Sequence, residues 1–207
     1  MTAPAPHQHV VRGLRSRHEG SFTVDPWGLD PGWHSLALRV AALRWSVRVA
    51  GERRIPSSGP TMVVVNRGLG FTEPLVAALG IAEVSGRPAR MVGLPDVSVV
   101  GSLLRRVGAV LAHPDEVSSL LRAGELVVAP LQWRLMYGGM AGGLDLGMAS
   151  AAVSTGATVL PSVARGHEWS RTWHYTLGTA LDVPAAAGRE PAVDLAEAAR
   201  AAIAKAL

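Results

Sequence analysis

The sequence predicts an α/β fold: a single domain with a mostly parallel central sheet and helices on both faces. Three observations carry that expectation. Short β-branched, charge-free runs such as Thr61 to Val65 and Leu126 to Ala129 read as strands buried on both sides. Stretches such as Ser98 to Arg106 and Asp115 to Gly124 read as helices. The two kinds alternate along the chain, which is the pattern of a parallel sheet covered by its own crossovers. With 207 residues, one domain is expected and a sizeable core can be buried.

Residues 1–26 are expected to form a disordered tail, because Met1 to about His18 mixes Pro, His and Arg without an apolar segment. The domain itself is expected over 27–207. From Trp33 to Val49 the residues Trp33, Leu36, Val40, Leu43 and Val47 recur at helical spacing, with Arg39, Arg44 and Arg48 off that face. Two readings of this basic amphipathic helix stay open: an ordinary packing helix, or one lying on an anionic bilayer with its arginines near phosphates. Ile55 to Pro60 is a turn cluster, and strand Thr61 to Val65 follows. A helix from Glu73 to Leu79, a basic loop with Arg87 and Arg90, and a strand at Met91 to Leu94 come next. Helix Ser98 to Arg106, strand Gly108 to Ala112, helix Asp115 to Gly124 and strand Leu126 to Ala129 continue the alternation. After a Gly-rich stretch, a helix from about Leu144 to Thr155, capped by Gly156, leads to strand Thr158 to Val163. The charge-free run Leu146 to Ala164 is broken by Gly147, Gly156 and Pro161, so helix, turn and strand is preferred to a membrane span.

Composition narrows the function. Apolar residues make up 48% of the chain, and 20 Lys plus Arg against 16 Asp plus Glu give a net charge of +4. That excess is too small to indicate nucleic acid, whereas the predominance of Arg favours carboxylate or phosphate partners. With no cysteine there is no disulfide, thiol nucleophile or Cys-based metal site, and a cytoplasmic setting is expected. His167 and His174, around Glu168, Trp169 and Trp173, lack a metal-ligand spacing, so no metal is expected. Gly138 to Gly143 has no following Lys-Ser/Thr and is read as a connection, not a phosphate loop. In such sheets ligands bind beyond the carboxyl ends of strands, which makes the loops after Val65, Ala112, Ala129 and Val163 the candidate site.

Those loops resemble the motifs of the glycerol-3-phosphate and lysophosphatidate acyltransferase family. Val49 to Gly51, then Gly59 to Asn66, is similar to the approach to its first motif. Leu104 to Val110 and Leu120 to Pro130 resemble the second and third motif regions, Thr155 to Gly166 the fourth, and Leu177 to Pro184 the closing strand. The likeness runs from about Trp27 to the C-terminus. It implies an acyltransferase-like fold and transfer of an acyl group from acyl-CoA or acyl carrier protein to a glycerol hydroxyl, with no resident cofactor.

In that family the first motif is a His, four residues, then an Asp: the imidazole takes the hydroxyl proton and the carboxylate orients the ring. This chain has Arg67 and Thr72 in those places. A guanidinium stays protonated at biological pH and cannot accept that proton, and Thr72 supplies no orienting charge. Glu73, one residue on, is a shifted carboxylate without an imidazole, and His113 is a candidate relocated base. The third motif, Pro-Glu-Gly-Thr in the family, is matched by Pro130-Leu131-Gln132-Trp133 followed by Arg134, and the Arg that closes the second motif is matched by Pro114. The resemblance therefore implies acceptor contacts at Asn66, Gln132, Trp133 and Arg134.

Two function classes follow. One is an acyltransferase-like enzyme using unusual residues such as Glu73 or His113. The other is a non-catalytic descendant that binds lipid, an acyl carrier or a protein partner through the retained cleft. In the bilayer reading of helix 33–49, as against the packing-helix reading, Arg39, Arg44 and Arg48 make the membrane contact, at the inner face.

Overall fold

The computed structural model describes residues 24–66, 72–93, 98–131, 142–167, 169–184 and 188–207. Seven strands form one sheet in the order β1-β7-β6-β2-β5-β3-β4. They are β1 (Ser46–Ala50), β2 (Thr61–Val65), β3 (Ala89–Val92), β4 (Ala109–Val110), β5 (Leu126–Pro130), β6 (Thr158–Arg165) and β7 (Thr172–Leu177). β6, β2, β5, β3 and β4 are mutually parallel; β7 is antiparallel to β6, and β1 is parallel to β7. The expected α/β architecture is what forms.

Side chains of the central strands alternate between two apolar layers, which is why these runs carry no charge. Met62 and Val64 of β2 face one layer with α4 (Pro114–Arg122), α5 (Leu146–Thr155) and α6 (Arg189–Ala206), contributing Leu120, Met148 and Leu195 among others. Val63 and Val65 face the other layer with α2 (Glu73–Ser85), flanked by α1 (Pro31–Arg44) and α3 (Ser98–Arg106). β2 and β5 lie side by side, yet the chain leaves β2 for α2 on one face and leaves β5 for α5 on the other. A crevice opens between strand ends at such a switch point.

The N-terminal helix differs from expectation. α1 starts at Pro31, with the Asp30 carboxylate accepting from the N–H groups of Gly32 and Trp33, and it ends at Arg44. Trp45 is already extended, and Ser46 to Ala50 pairs as edge strand β1 with β7. Trp45-Ser46-Val47-Arg48-Val49 alternates with period two, and that pattern, overlapping the tail of a helical one, won once β7 offered a ladder. Arg48 is therefore a strand residue, and the helix 33–49 does not exist as such. α1 packs inward through His34 and Ala41, while Val40 and Leu43 of the expected apolar stripe are 57% and 80% exposed.

Three further differences concern long-range structure. The expected closing strand Leu177 to Pro184 keeps only Leu177 at the end of β7 and one bridge, Leu181 to Val159. β7 itself and α6 are structural elements that the sequence reading did not include. The expected basic loop is not a free basic surface. Arg87 donates to the carbonyls of Pro56, Gly59 and Gly124, tying down the amino ends of β2 and β5. Arg90 on β3 is buried and pairs with Asp25 and Glu125 while lying over the Trp27 ring. Asp25, in the stretch expected to be tail, also accepts from the N–H groups of Trp27 and Leu29, so Val24 to Asp30 packs as part of the domain.

Candidate functional site

The crevice between the ends of β2 and β5 is lined by Val65, Asn66, Glu73, Pro74, Ala77, Val128 and Pro130. β2 and β5 supply its floor, and the first turn of α2 supplies one wall. Val65 and Pro130 are register partners across the two strands, so the Asn66 and Leu131 backbones leave the sheet together. Its enclosed space is about 10 Å³, enough for roughly one water molecule.

Glu73 stands at the first position of α2, where a carboxylate also complements the helix macrodipole. Behind it, the buried Tyr175 hydroxyl donates to the Glu73 carbonyl at 3.4 Å. Burial, reinforced by the Glu73 carboxylate, pushes the Tyr175 phenol far above its ordinary range, so it remains a neutral donor. Pro74, Ala77 and Val128 in the lining, and Tyr175 behind Glu73, were not among the site residues expected from the sequence. The signal for Tyr175 was the alternation of Trp173, Tyr175 and Leu177, all buried on one face of β7.

Asn66 is brought to the crevice, but its amide is committed to Ala164 on β6 through two hydrogen bonds, Nδ2 to O at 3.1 Å and N to Oδ1 at 2.5 Å. Thr72 precedes α2 at its cap position without a side-chain capping bond. His113 is elsewhere: it is the N-cap of α4, its Nδ1 accepting from Asp115 N–H at 3.3 Å. It follows β4, the far edge strand of the sheet, and is not among the residues that line the crevice. An imidazole that caps through Nδ1 serves the helix start, as a turn residue before Pro114 would. Arg67, Gln132, Trp133 and Arg134 lie outside the described residues.

Other imidazoles do not reach the crevice either. Among the described residues His34, His113, His167 and His174 all fall outside its lining. His34 is on the buried side of α1, with Nδ1 donating to the Val107 carbonyl at 3.0 Å. Among the described residues no three His, Asp or Glu side chains gather where they could hold a metal ion. None of their helices is long and apolar enough to cross a membrane.

The parallel sheet with its crevice at a switch point has the fold of a glycerolipid acyltransferase. A crystal structure of the 1-acyl-sn-glycerophosphate acyltransferase PlsC from Thermotoga maritima superimposes with a TM-score of 0.60, covering 96% of this chain and 89% of that one at 16% identity. At that identity the likeness is one of fold. No family model matches the chain. An uncharacterized protein of Mycobacterium leprae is 31% identical over 188 residues, covering 79% of this chain and 50% of its own length. An uncharacterized protein of Mycobacterium tuberculosis is 29% identical over 182 residues, covering 77% of this chain and 49% of its own. The chain thus spans about half the length of the curated relatives it matches.

Proposed function

We propose that this protein uses an acyltransferase-like fold to bind a glycerolipid or an acyl thioester without running the His-Asp acyl transfer of the fold's enzymes. One observation carries the reading: among the described residues the crevice that would hold the base is lined by Glu73 and by no imidazole, while the motif positions are Arg67 and Thr72. Attack by a glycerol hydroxyl on a thioester needs a group that accepts a proton near neutral pH, and loss of such a base lowers the rate by about 10²- to 10⁴-fold. An arginine beyond β2 suits the opposite task, holding a phosphate or carboxylate.

A second reading is favoured by Glu73 itself, a carboxylate lining the crevice in front of a neutral tyrosine hydroxyl. In that reading Glu73 takes the acceptor proton directly and the protein is a slow acyltransferase.

Incubation with acyl-CoA and acyl carrier protein thioesters plus glycerol 3-phosphate or lysophospholipids, following thiol release, separates the two. The binding reading expects saturable lipid or thioester binding with no release above background. Release that disappears in Glu73→Gln would establish the enzyme instead. Arg67→His with Thr72→Asp is expected not to restore transfer, because Leu131, Gln132 and Trp133 still replace the family's acceptor motif.

A further inference from the structure

β1 is an end strand of the sheet, and its outer edge is open. It pairs with β7 in unbroken parallel register from Ser46 to Ala50. The Ser46 N–H donates to the Arg171 carbonyl at 2.6 Å, and in a parallel ladder this sets Ser46, Arg48 and Ala50 to bond β7. The N–H and C=O groups of Val47 and Val49 then point the other way, and among the described residues none of the four is bonded. Folded proteins guard such an edge with a proline, a bulge, a very short strand or a covering element. The opposite edge follows that rule, because β4 is only Ala109–Val110. β1 has five residues, no proline and no bulge.

The two faces of β1 differ, and the difference says what strand fits beside it. Val47 and Val49 face the layer containing α2, where Val47 meets the helix at Gly80. α1 belongs to the same layer and leaves Leu43, two residues before Trp45, 80% exposed where β1 begins. An incoming strand is therefore matched by apolar side chains on this side. Arg48 points the other way and is exposed, and among the described residues it forms no ion pair. Around it that face of β1 and β7 carries Ser46, Ala50, Thr172, His174 and Thr176, with no carboxylate. On this side the complement is an acid.

Antiparallel pairing satisfies both conditions. Val47 and Val49 become hydrogen-bonded positions, each exchanging N–H and C=O bonds with the residue opposite. Arg48 becomes the non-hydrogen-bonded position between them, where facing Cα atoms approach to about 4.5 Å. A second copy of β1 fits poorly. The pairing that uses Val47 and Val49 of both copies has its twofold axis at Arg48 and sets two guanidinium groups opposite one another, which destabilises a sheet. Residues 1–23 carry Arg12, Arg15 and Arg17 against the single acid Glu19, so they have the wrong sign.

We propose that the open edge of β1 is a docking site for an extended segment of another protein, apolar-acidic-apolar in sequence, which adds to the sheet as an antiparallel strand with its carboxylate against Arg48. A matching row of donors and acceptors is a property of another backbone, not of a lipid surface. Neither the crevice nor an acyl group takes part.

The probe is the acetylated, amidated peptide Thr-Glu-Val-Glu-Val-Glu-Thr, titrated into the full chain and followed by NMR shifts and hydrogen exchange of the backbone amides. Saturable binding is expected, weakened about fivefold when the central Glu of the peptide is replaced by Lys. Arg48→Glu is expected to invert that preference. The peptide N-methylated at both valines cannot donate from those positions and is expected not to bind, a comparison that leaves the protein unaltered. On binding, exchange of the Val47 and Val49 amides is expected to slow, while that of Arg48, already bonded to β7, stays as it was. Binding that tolerates N-methylation, binding that leaves the Val47 and Val49 amides unprotected, a preference that Arg48→Glu does not invert, or no binding at millimolar peptide would each overturn the proposal. So would a dimer of the chain alone in sedimentation equilibrium with those two amides already protected, which would assign the edge to a second copy.

Discussion

The carboxamide of Asn66 and the backbone of Ala164 form a two-hydrogen-bond pair that extends the β2–β6 ladder one residue past the end of β2. This pair fixes the direction in which the chain leaves the sheet toward position 67. It is why a residue that reads as a ligand contact serves here as a backbone clamp.

Asn66→Asp replaces the donor to the Ala164 carbonyl with a carboxylate oxygen. Destabilisation of about 1–3 kcal/mol is expected, read as a lower urea midpoint at unchanged m-value. A midpoint equal to that of wild type would show that the pair contributes nothing.

Arg90 is enclosed between Asp25, Glu125 and the Trp27 ring. Arg90→Ala leaves two carboxylates facing a vacated site, and a loss of about 3 kcal/mol is expected in denaturant titration. Limited proteolysis should then cut near Val24 to Leu29 well before the core, because this segment is tied to β3 through Arg90.

His34 makes stability fall in acid. Burial is the main cause holding its imidazole below the ordinary 6.5; the bond to Val107 opposes that shift, and nearby Arg90 adds to it. The unfolded chain then binds the proton more readily, so the contribution is complete above about pH 6.5 and is lost as pH falls through the lower folded value. Urea midpoints taken from pH 7.5 to 5 should decline, and His34→Gln should flatten that decline. A parallel slope in the variant would assign the effect to other groups.

Gly80 sits where α2 crosses β1, and a Cβ there would run into the Val47 side chain. Gly80→Ala is expected to cost about 1–3 kcal/mol even though alanine is the better helix former. Val47→Ala should recover part of it. Thermal melts of the single and double variants measure the coupling.

The buried strands were legible because both of their faces are covered, so the run Met62-Val63-Val64-Val65 has no alternative reading in water. α4 was legible for a different reason: Val117, Leu120 and Leu121 are buried at helical spacing and Arg122 closes the helix. β1 and β7 were not, although the other edge strand, β4, was. β1 exposes Ser46, Arg48 and Ala50, and its period-two signal spans five residues behind a helix whose own apolar stripe faces solvent. Of the crevice lining, the sequence reading named Glu73 and Asn66, and it placed His113 in a strand-end loop without saying which strand lay beside which.

Local composition decided the class of fold and the central strands, because burial on two faces is a property of residues taken in order. Strand order was decided only by folding. Which loops meet, that Asn66 is bonded to Ala164, and that Arg48 lies opposite His174 all depend on pairings between segments far apart in the chain. Hydrogen bonds of that range leave no periodicity in the chain, since each partner's own pattern is equally compatible with several neighbours.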